Sequence, residues 1–141
     1  MEPTLRAGEY FLVWSPPGTL ARGDLVVFRY EDEDGLFHVL RRLAGLPGDT
    51  VAMRDGMVEV NGVPQPWPFQ IIAPAARRSP LARPTDLYTW RLRVVPPDSV
   101  VLLSDTRDMV GWPDSRFLGF IPRGEIVGKA TRTLKGRRLR E

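Results

Sequence analysis

Apolar positions along this chain fall in short runs separated by turn residues, and no segment keeps the three-to-four spacing of an amphipathic helix. Residues 10–14 and 24–30 are rich in β-branched and aromatic side chains and predict strands, with Ser15-Pro16-Pro17-Gly18 breaking the chain between them. Glu31-Asp32-Glu33-Asp34-Gly35 predicts a solvated hairpin tip, because its carboxylates lack the spacing of a calcium-binding EF-hand loop. Residues 36–44 predict a third strand, stopped by Gly45-Leu46-Pro47-Gly48-Asp49. Residues 50–54 and 57–60 flank Asp55-Gly56, a dipeptide suited to the tight hairpin turn in which both central residues need positive φ. Asn61-Gly62 predicts a second turn. Residues 87–95, 99–104 and 125–133 predict the remaining strands, the first two joined across Pro96-Pro97-Asp98.

Short connections make the pairing antiparallel, since parallel neighbours need long crossovers. The expected fold class is therefore mostly β, in a single domain over residues 1–141. Core strands are expected within about residues 1–60 and 87–133. An irregular insert or lid, with six prolines and little periodicity, is expected at 61–86, and a basic tail at 134–141.

Composition narrows the chemistry. The hydrophobic share of 43% is enough for a packed core, while 14 prolines and 13 glycines leave little room for long helices. With no cysteine, disulfides, thiolate catalysis and zinc–thiolate sites are excluded. The single histidine, His38, is the one residue on which a histidine-based triad could be built. No apolar run reaches the ~20 residues of a membrane span. The net charge of +3 is a weak footprint for nucleic acid, and no nucleic-acid partner is expected. Lys135, Arg137, Arg138 and Arg140 crowd the end of the chain and read as a solvated tail.

Three blocks carry the candidate chemistry. The first is Met1-Glu2-Pro3-Thr4-Leu5. The second is Arg22-Gly23-Asp24-Leu25-Val26-Val27-Phe28, followed by Arg41-Arg42-Leu43-Ala44-Gly45-Leu46-Pro47-Gly48-Asp49. The third is Ser104-Asp105-Thr106-Arg107-Asp108, followed by Asp114-Ser115-Arg116, Gly119-Phe120-Ile121-Pro122 and Ile126-Val127-Gly128-Lys129-Ala130. In order, spacing and wording these blocks resemble the type I signal peptidases, serine peptidases of the S26 class, from Met1 to about Thr131. Each block alone is weak, because Gly-x-Pro-Gly-Asp by itself is only a turn; several in register are specific.

The resemblance implies coiled antiparallel β-sheets with a small β insert, and endoproteolysis of signal peptides from exported preproteins. It places the catalytic domain on the extracytoplasmic face of the bacterial inner membrane. Its partners would be extended signal-peptide segments and the membrane surface, with no metal or organic cofactor. In that family Ser-Met-x-Pro-Thr supplies the nucleophile, and a Lys-Arg pair before Gly-x-Pro-Gly-Asp supplies the general base. A burial-depressed lysine pKa is what lets such a base take the serine proton. The box Gly-Asp-Asn-Arg-Asp-Asn-Ser with Asp-Ser-Arg after it supports the base. Carried over, these motifs imply substrate or scaffold roles for Met1, Pro3, Arg42, Asp49, Asp105, Arg107, Asp108, Asp114 and Arg116.

The chain departs from the pattern at the catalytic positions. The nucleophilic serine would precede Met1, so the sequence reads as an N-terminally truncated or degenerate member. The lysine position is Arg41, and a guanidinium does not deprotonate in proteins. The serine that supports the lysine falls at Val110, with two extra residues before Asp114. His38 is three residues from Arg41, and an odd separation sends strand side chains to opposite faces. It is therefore expected to be a satisfied structural histidine. Asp105, Arg107, Asp108, Asp114 and Arg116 are expected to form a carboxylate–guanidinium network bracing the cleft. Trp67, Phe69, Ile71 and Ile72 either contact lipid or pack beneath the insert. Two readings of function stay open: a signal-peptide endopeptidase, and an inactive homologue that binds extended peptides.

Overall fold

The computed structural model describes residues 1–68, 89–107 and 113–139. Ten strands are assigned in them: β1 (Phe11–Trp14), β2 (Leu25–Asp32), β3 (Gly35–Gly45), β4 (Thr50–Arg54), β5 (Met57–Val60), β6 (Val63–Pro64), β7 (Trp90–Val94), β8 (Ser99–Leu103), β9 (Ile121–Pro122) and β10 (Ile126–Thr133). They form two antiparallel sheets, ordered β1-β10-β2-β3-β8-β9 and β6-β5-β4-β7. The mostly β, antiparallel expectation holds. The hairpin β4–β5 closes on Asp55 and Gly56 with φ of 48° and 83°, the backbone their sequence asks for. Two short strands, Val63–Pro64 and Ile121–Pro122, and a one-turn helix at Ser115–Leu118 have too few residues to show a period.

The long strand β3 organises the molecule. Successive side chains on a strand point to opposite faces. Leu43 therefore joins Val26, Phe28, Val100 and Leu102 in one core, while Ala44 joins Val101 and Leu103 in another. Val51, Met53, Val58 and Val60 of the second sheet complete that second core. Leu5, Leu25, Ala130 and Leu139 form a third. Each fully buried Val, Leu or Phe is worth roughly 1.5–3 kcal/mol, so β2, β3 and β8 are fixed in register by side chains on both faces.

Two sequence expectations are altered here. Leu139 is buried and residue 138 bridges back to Arg132, so the last described residues are anchored on β10, while Lys135, Arg137 and Arg138 stay exposed as expected. Trp67 packs against the second core and lies over Gly23, which favours packing over lipid contact for that residue. Phe69, Ile71 and Ile72, like most of the 61–86 insert, lie outside the described residues.

At Gly128 of β10 an added Cβ would sit 2.3 Å from Val13 Cγ1 and 2.9 Å from the Trp14 carbonyl oxygen. A methyl group there pushes β1 off the sheet. Gly128→Ala is expected to cost about 1–3 kcal/mol, read as a lower denaturant midpoint with faster amide exchange in residues 11–14.

Candidate functional site

The three sequence blocks meet at one end of β3. Arg42 is fully buried and pairs with Asp105 through two short bonds, Nε to Oδ1 at 2.7 Å and Nη2 to Oδ2 at 2.7 Å. Its remaining donors reach the Gly23 carbonyl at 2.9 Å and Thr4 Oγ1 at 3.0 Å. The Thr4 hydroxyl donates in turn to Asp105 Oδ2. Each polar atom of this buried pair is thus bonded, which is what makes a desolvated ion pair tolerable. It also ties residues 1–5 to the third block. Thr106 Oγ1 donates to the Glu2 carbonyl at 2.9 Å, and Arg137 Nη1 to the Thr4 carbonyl at 2.9 Å.

A second buried pair lies beside the first. Asp114 caps the helix Ser115–Leu118 and holds Arg116 at 2.8 Å, with both side chains fully buried. Arg116 Nη1 donates to the Arg107 carbonyl. Asp114 also accepts from the Ser104 N–H at 3.1 Å, and Ser115 Oγ accepts from the Leu102 N–H at 2.9 Å. Arg107 is buried and reaches across to the Gly56 carbonyl of the second sheet at 3.2 Å. Burial, with Arg116 adding to it, pushes the Arg107 guanidinium down to about 10. The structure therefore pairs Asp105 with Arg42 and Asp114 with Arg116, while Asp108 and Val110 lie outside the described residues.

Asp49 stands apart from these pairs as a pin of the loop between the sheets. It takes Arg22 through two bonds of 2.7 and 2.5 Å, the Leu46 N–H at 2.9 Å and Asn61 Nδ2 at 3.0 Å. Burial alone would raise its carboxyl; these donors overcome it and hold the group below the usual range. Pro3 is exposed, and Met1 packs beside Leu5 and Leu40.

Arg41, which the motifs set at the general-base position, is 5% exposed. Its Nε donates to the Pro113 carbonyl at 2.9 Å and its Nη1 to the Leu40 carbonyl at 2.6 Å. Burial pushes it down to about 10, with Asp114 opposing and Arg116 adding. Arg41 is therefore a cation at neutral pH and accepts no proton there.

Beside Arg41 no described strand pairs with the outer edge of β3. β8 pairs with β3 only from Arg42 onward, whereas β2 pairs with it all the way to Gly35. Leu43 exchanges its backbone bonds with Gly23 and Asp24 on the β2 side, at 2.8 Å each. Alternation along an antiparallel strand then directs the N–H and C=O groups of Leu40 and His38 outward, to the unpaired edge. A cavity of about 430 Å³ runs along this edge, lined by Met1, Tyr30, Val39, Leu40, Arg41 and Pro113 among others. His38 lines it too, exposed and, among the described residues, without a hydrogen-bond partner. It faces Arg29 across the β2–β3 ladder, where Arg41 faces Val26. The opposite-face expectation follows the register, but His38 is a rim residue of the cleft and not a satisfied core histidine. A larger hollow of about 510 Å³ sits over Phe28, Tyr30 and Ile121 and carries the exposed Arg29–Glu125 ion pair and Glu31.

Thr106, Pro113 and Arg137 are site residues that the motifs do not single out. Thr4 is the last residue of the first motif, and the structure gives it a role the motif does not state, bonding the buried Arg42–Asp105 pair. Among the described residues no group of metal-ligating side chains gathers, and no helix is long and apolar enough to cross a membrane.

Comparison with known proteins converges on one set of relatives. Residues 1–134 match a family model described as signal peptidase, peptidase S26. The chain is similar to the signal peptidase I of Leptolyngbya laminosa, 31% identical over 142 residues that cover 92% of this chain and 62% of that protein. It is equally similar to the signal peptidase I of Bacillus caldolyticus, 31% identical over 136 residues, 92% of this chain and 71% of that one. The crystal structure of a signal peptidase I from Enterococcus faecalis V583 superposes with a TM-score of 0.57 at 25% identity, covering 82% of this chain and 99% of that chain. The chain thus spans under two thirds of the length of the Leptolyngbya relative.

Proposed function

The chain belongs to the signal peptidase, peptidase S26 family, and from that footing we propose that it takes the signal-peptide segments of exported preproteins, in extended form, at the outer face of the bacterial inner membrane. The observation that carries this is the edge of β3 that no described strand covers, flanked by a cavity of mixed polar and apolar lining and ending at Arg41. An extended peptide laid there adds a strand, forming main-chain hydrogen bonds with His38 and Leu40, while small side chains enter the hollow. The Arg42–Asp105 and Asp114–Arg116 pairs brace that edge. No metal or organic cofactor has a part in this reading.

Endoproteolysis is the activity expected of this family. Arg41 favours a second reading, in which the chain binds such peptides without cutting them. The position from which a base would act holds a permanent cation committed to the Pro113 and Leu40 carbonyls. Binding and cleavage are read in one experiment. A fluorescent peptide ending its signal region in small-x-small is titrated against the protein, with single backbone N-methyl groups moved along it. Strand addition predicts that alternate N-methylations weaken binding by about 5- to 10-fold, the worth of one net hydrogen bond, and that those between leave it unchanged. Uniform effects at all positions would remove the strand-addition reading. Product peptide in the same samples, analysed by mass, separates the cutting enzyme from the binder.

A further inference from the structure

Resting on that strand-addition reading, we propose that Arg41 makes the closed end of the β3 edge a receptor for the α-carboxylate of a peptide, so that the site takes chain ends with an apolar last residue in preference to continuous chain.

Three observations meet in this assignment. First, the guanidinium has no carboxylate partner among the described residues. Asp105 is held by Arg42 and Asp114 by Arg116, and Arg41 spends Nε and Nη1 on two backbone carbonyls. Its Nη2 donates to no group among the described residues and is not sealed from solvent. A nearly buried cation that no described carboxylate contacts, with Asp114 and Asp105 acting on it only through space, favours a carboxylate partner. Second, the edge stops there. From Arg42 onward β8 occupies it, so a peptide running parallel to β3 has no ladder to continue along. Third, the Leu40 carbonyl, the last outward acceptor of the open edge, is already taken by Arg41 Nη1 at 2.6 Å. A continuous chain would bring an N–H to an acceptor that already holds one charged donor. A chain that ends there brings two anionic oxygens to the Nη2 donors.

The apolar lining gives the last side chain its character. Val39 and Leu40 precede Arg41 on the strand, and Met1 and Pro113 border the hollow beside it, so an apolar last residue fits there, with Asp32 and His38 also on the lining. The ligand class is therefore a peptide with a free C-terminus, such as the released product of signal-peptide cleavage.

The probe is a fluorescein-labelled octapeptide ending Ala-x-Ala, prepared as the free acid and as the C-terminal amide, with binding followed by anisotropy at pH 7.5. The free acid is expected to bind about 10- to 100-fold more tightly than the amide, the worth of one charge-assisted hydrogen bond. With Arg41→Met the two forms should bind alike. The acid–amide comparison uses the unaltered protein, so it decides the matter even where Arg41→Met folds poorly. Equal binding of acid and amide overturns the carboxylate receptor and leaves strand addition standing. Binding of neither form overturns both. Sodium acetate separates a chain end from a bare anion: displacement of the peptide by acetate at the concentration of an unlabelled competitor peptide overturns the proposal, and retention of the peptide supports it.

Discussion

Cleavage of a small-x-small preprotein by a chain carrying a serine immediately before Met1 is expected to stay at background, and to rise by about 10²–10⁴-fold when Arg41→Lys is added. That range is the usual yield of a positioned general base. A serine hydroxyl attacks slowly until its proton is removed, and the guanidinium of Arg41, even pushed down to about 10, remains charged at neutral pH. A lysine at the same place meets the same burial, flanked on its strand face by Val39 and Leu43. Desolvation lowers an ammonium toward neutrality and leaves a free amine to accept the proton. The measurement is the initial rate of preprotein cleavage for both proteins on one substrate. Equal turnover with Arg41 intact would identify another base, and His38, at the rim of the same cavity, is the first residue to substitute next. The same pair of proteins also bears on the carboxylate receptor, since Arg41→Lys removes the planar fork and, with its amine neutral, the fixed charge, and should blunt the preference for free acid without abolishing strand addition.

Asp105→Ala is expected to be the most destabilising single change among the described residues. It leaves Arg42, 1% exposed in its side chain, without the carboxylate that two short bonds supply. Breaking a buried pair on one side costs about 3–5 kcal/mol, a fall of roughly 10–20 °C in Tm for a domain of this size. Thr4 loses its acceptor at the same time, so residues 1–5 should exchange amide protons faster than the core strands. Calorimetry and hydrogen exchange read both effects. Replacing both partners together, Arg42→Met with Asp105→Leu, should cost much less than the single change, because no charge is then stranded. A single variant melting within a few degrees of the parent would show that water reaches Arg42 and that the pair is not a closed one.

Much of the fold is local and therefore legible. Asp55-Gly56 adopts the positive φ values that its turn requires whatever surrounds it, and the strands at 50–54 and 57–60 follow from the apolar residues on either side. Strand alternation alone places Val39, Arg41 and Leu43 on one face of β3, and the register with β2 agrees. Strands of two residues, such as Val63–Pro64 and Ile121–Pro122, carry no period and become strands only by pairing with a neighbour.

What the site does chemically is decided by partners far apart in the chain. Sequence puts Asp105 and Arg107 in one block, yet Asp105 binds Arg42 and Arg107 reaches Gly56, because sheet order and not proximity along the chain sets which groups meet. Likewise nothing in the spelling of residues 113 or 40 announces that their carbonyls will hold Arg41. The solvated-tail expectation holds for the exposed Lys135, Arg137 and Arg138, but not for Leu139 among them, which finds a core with Leu5, Leu25 and Ala130. Local backbone geometry is fixed by a few neighbouring residues and can be read from them. Desolvation and ion pairing depend on surfaces that exist only after the sheets have closed, and so the charge state and commitments of Arg41 belong to the tertiary structure.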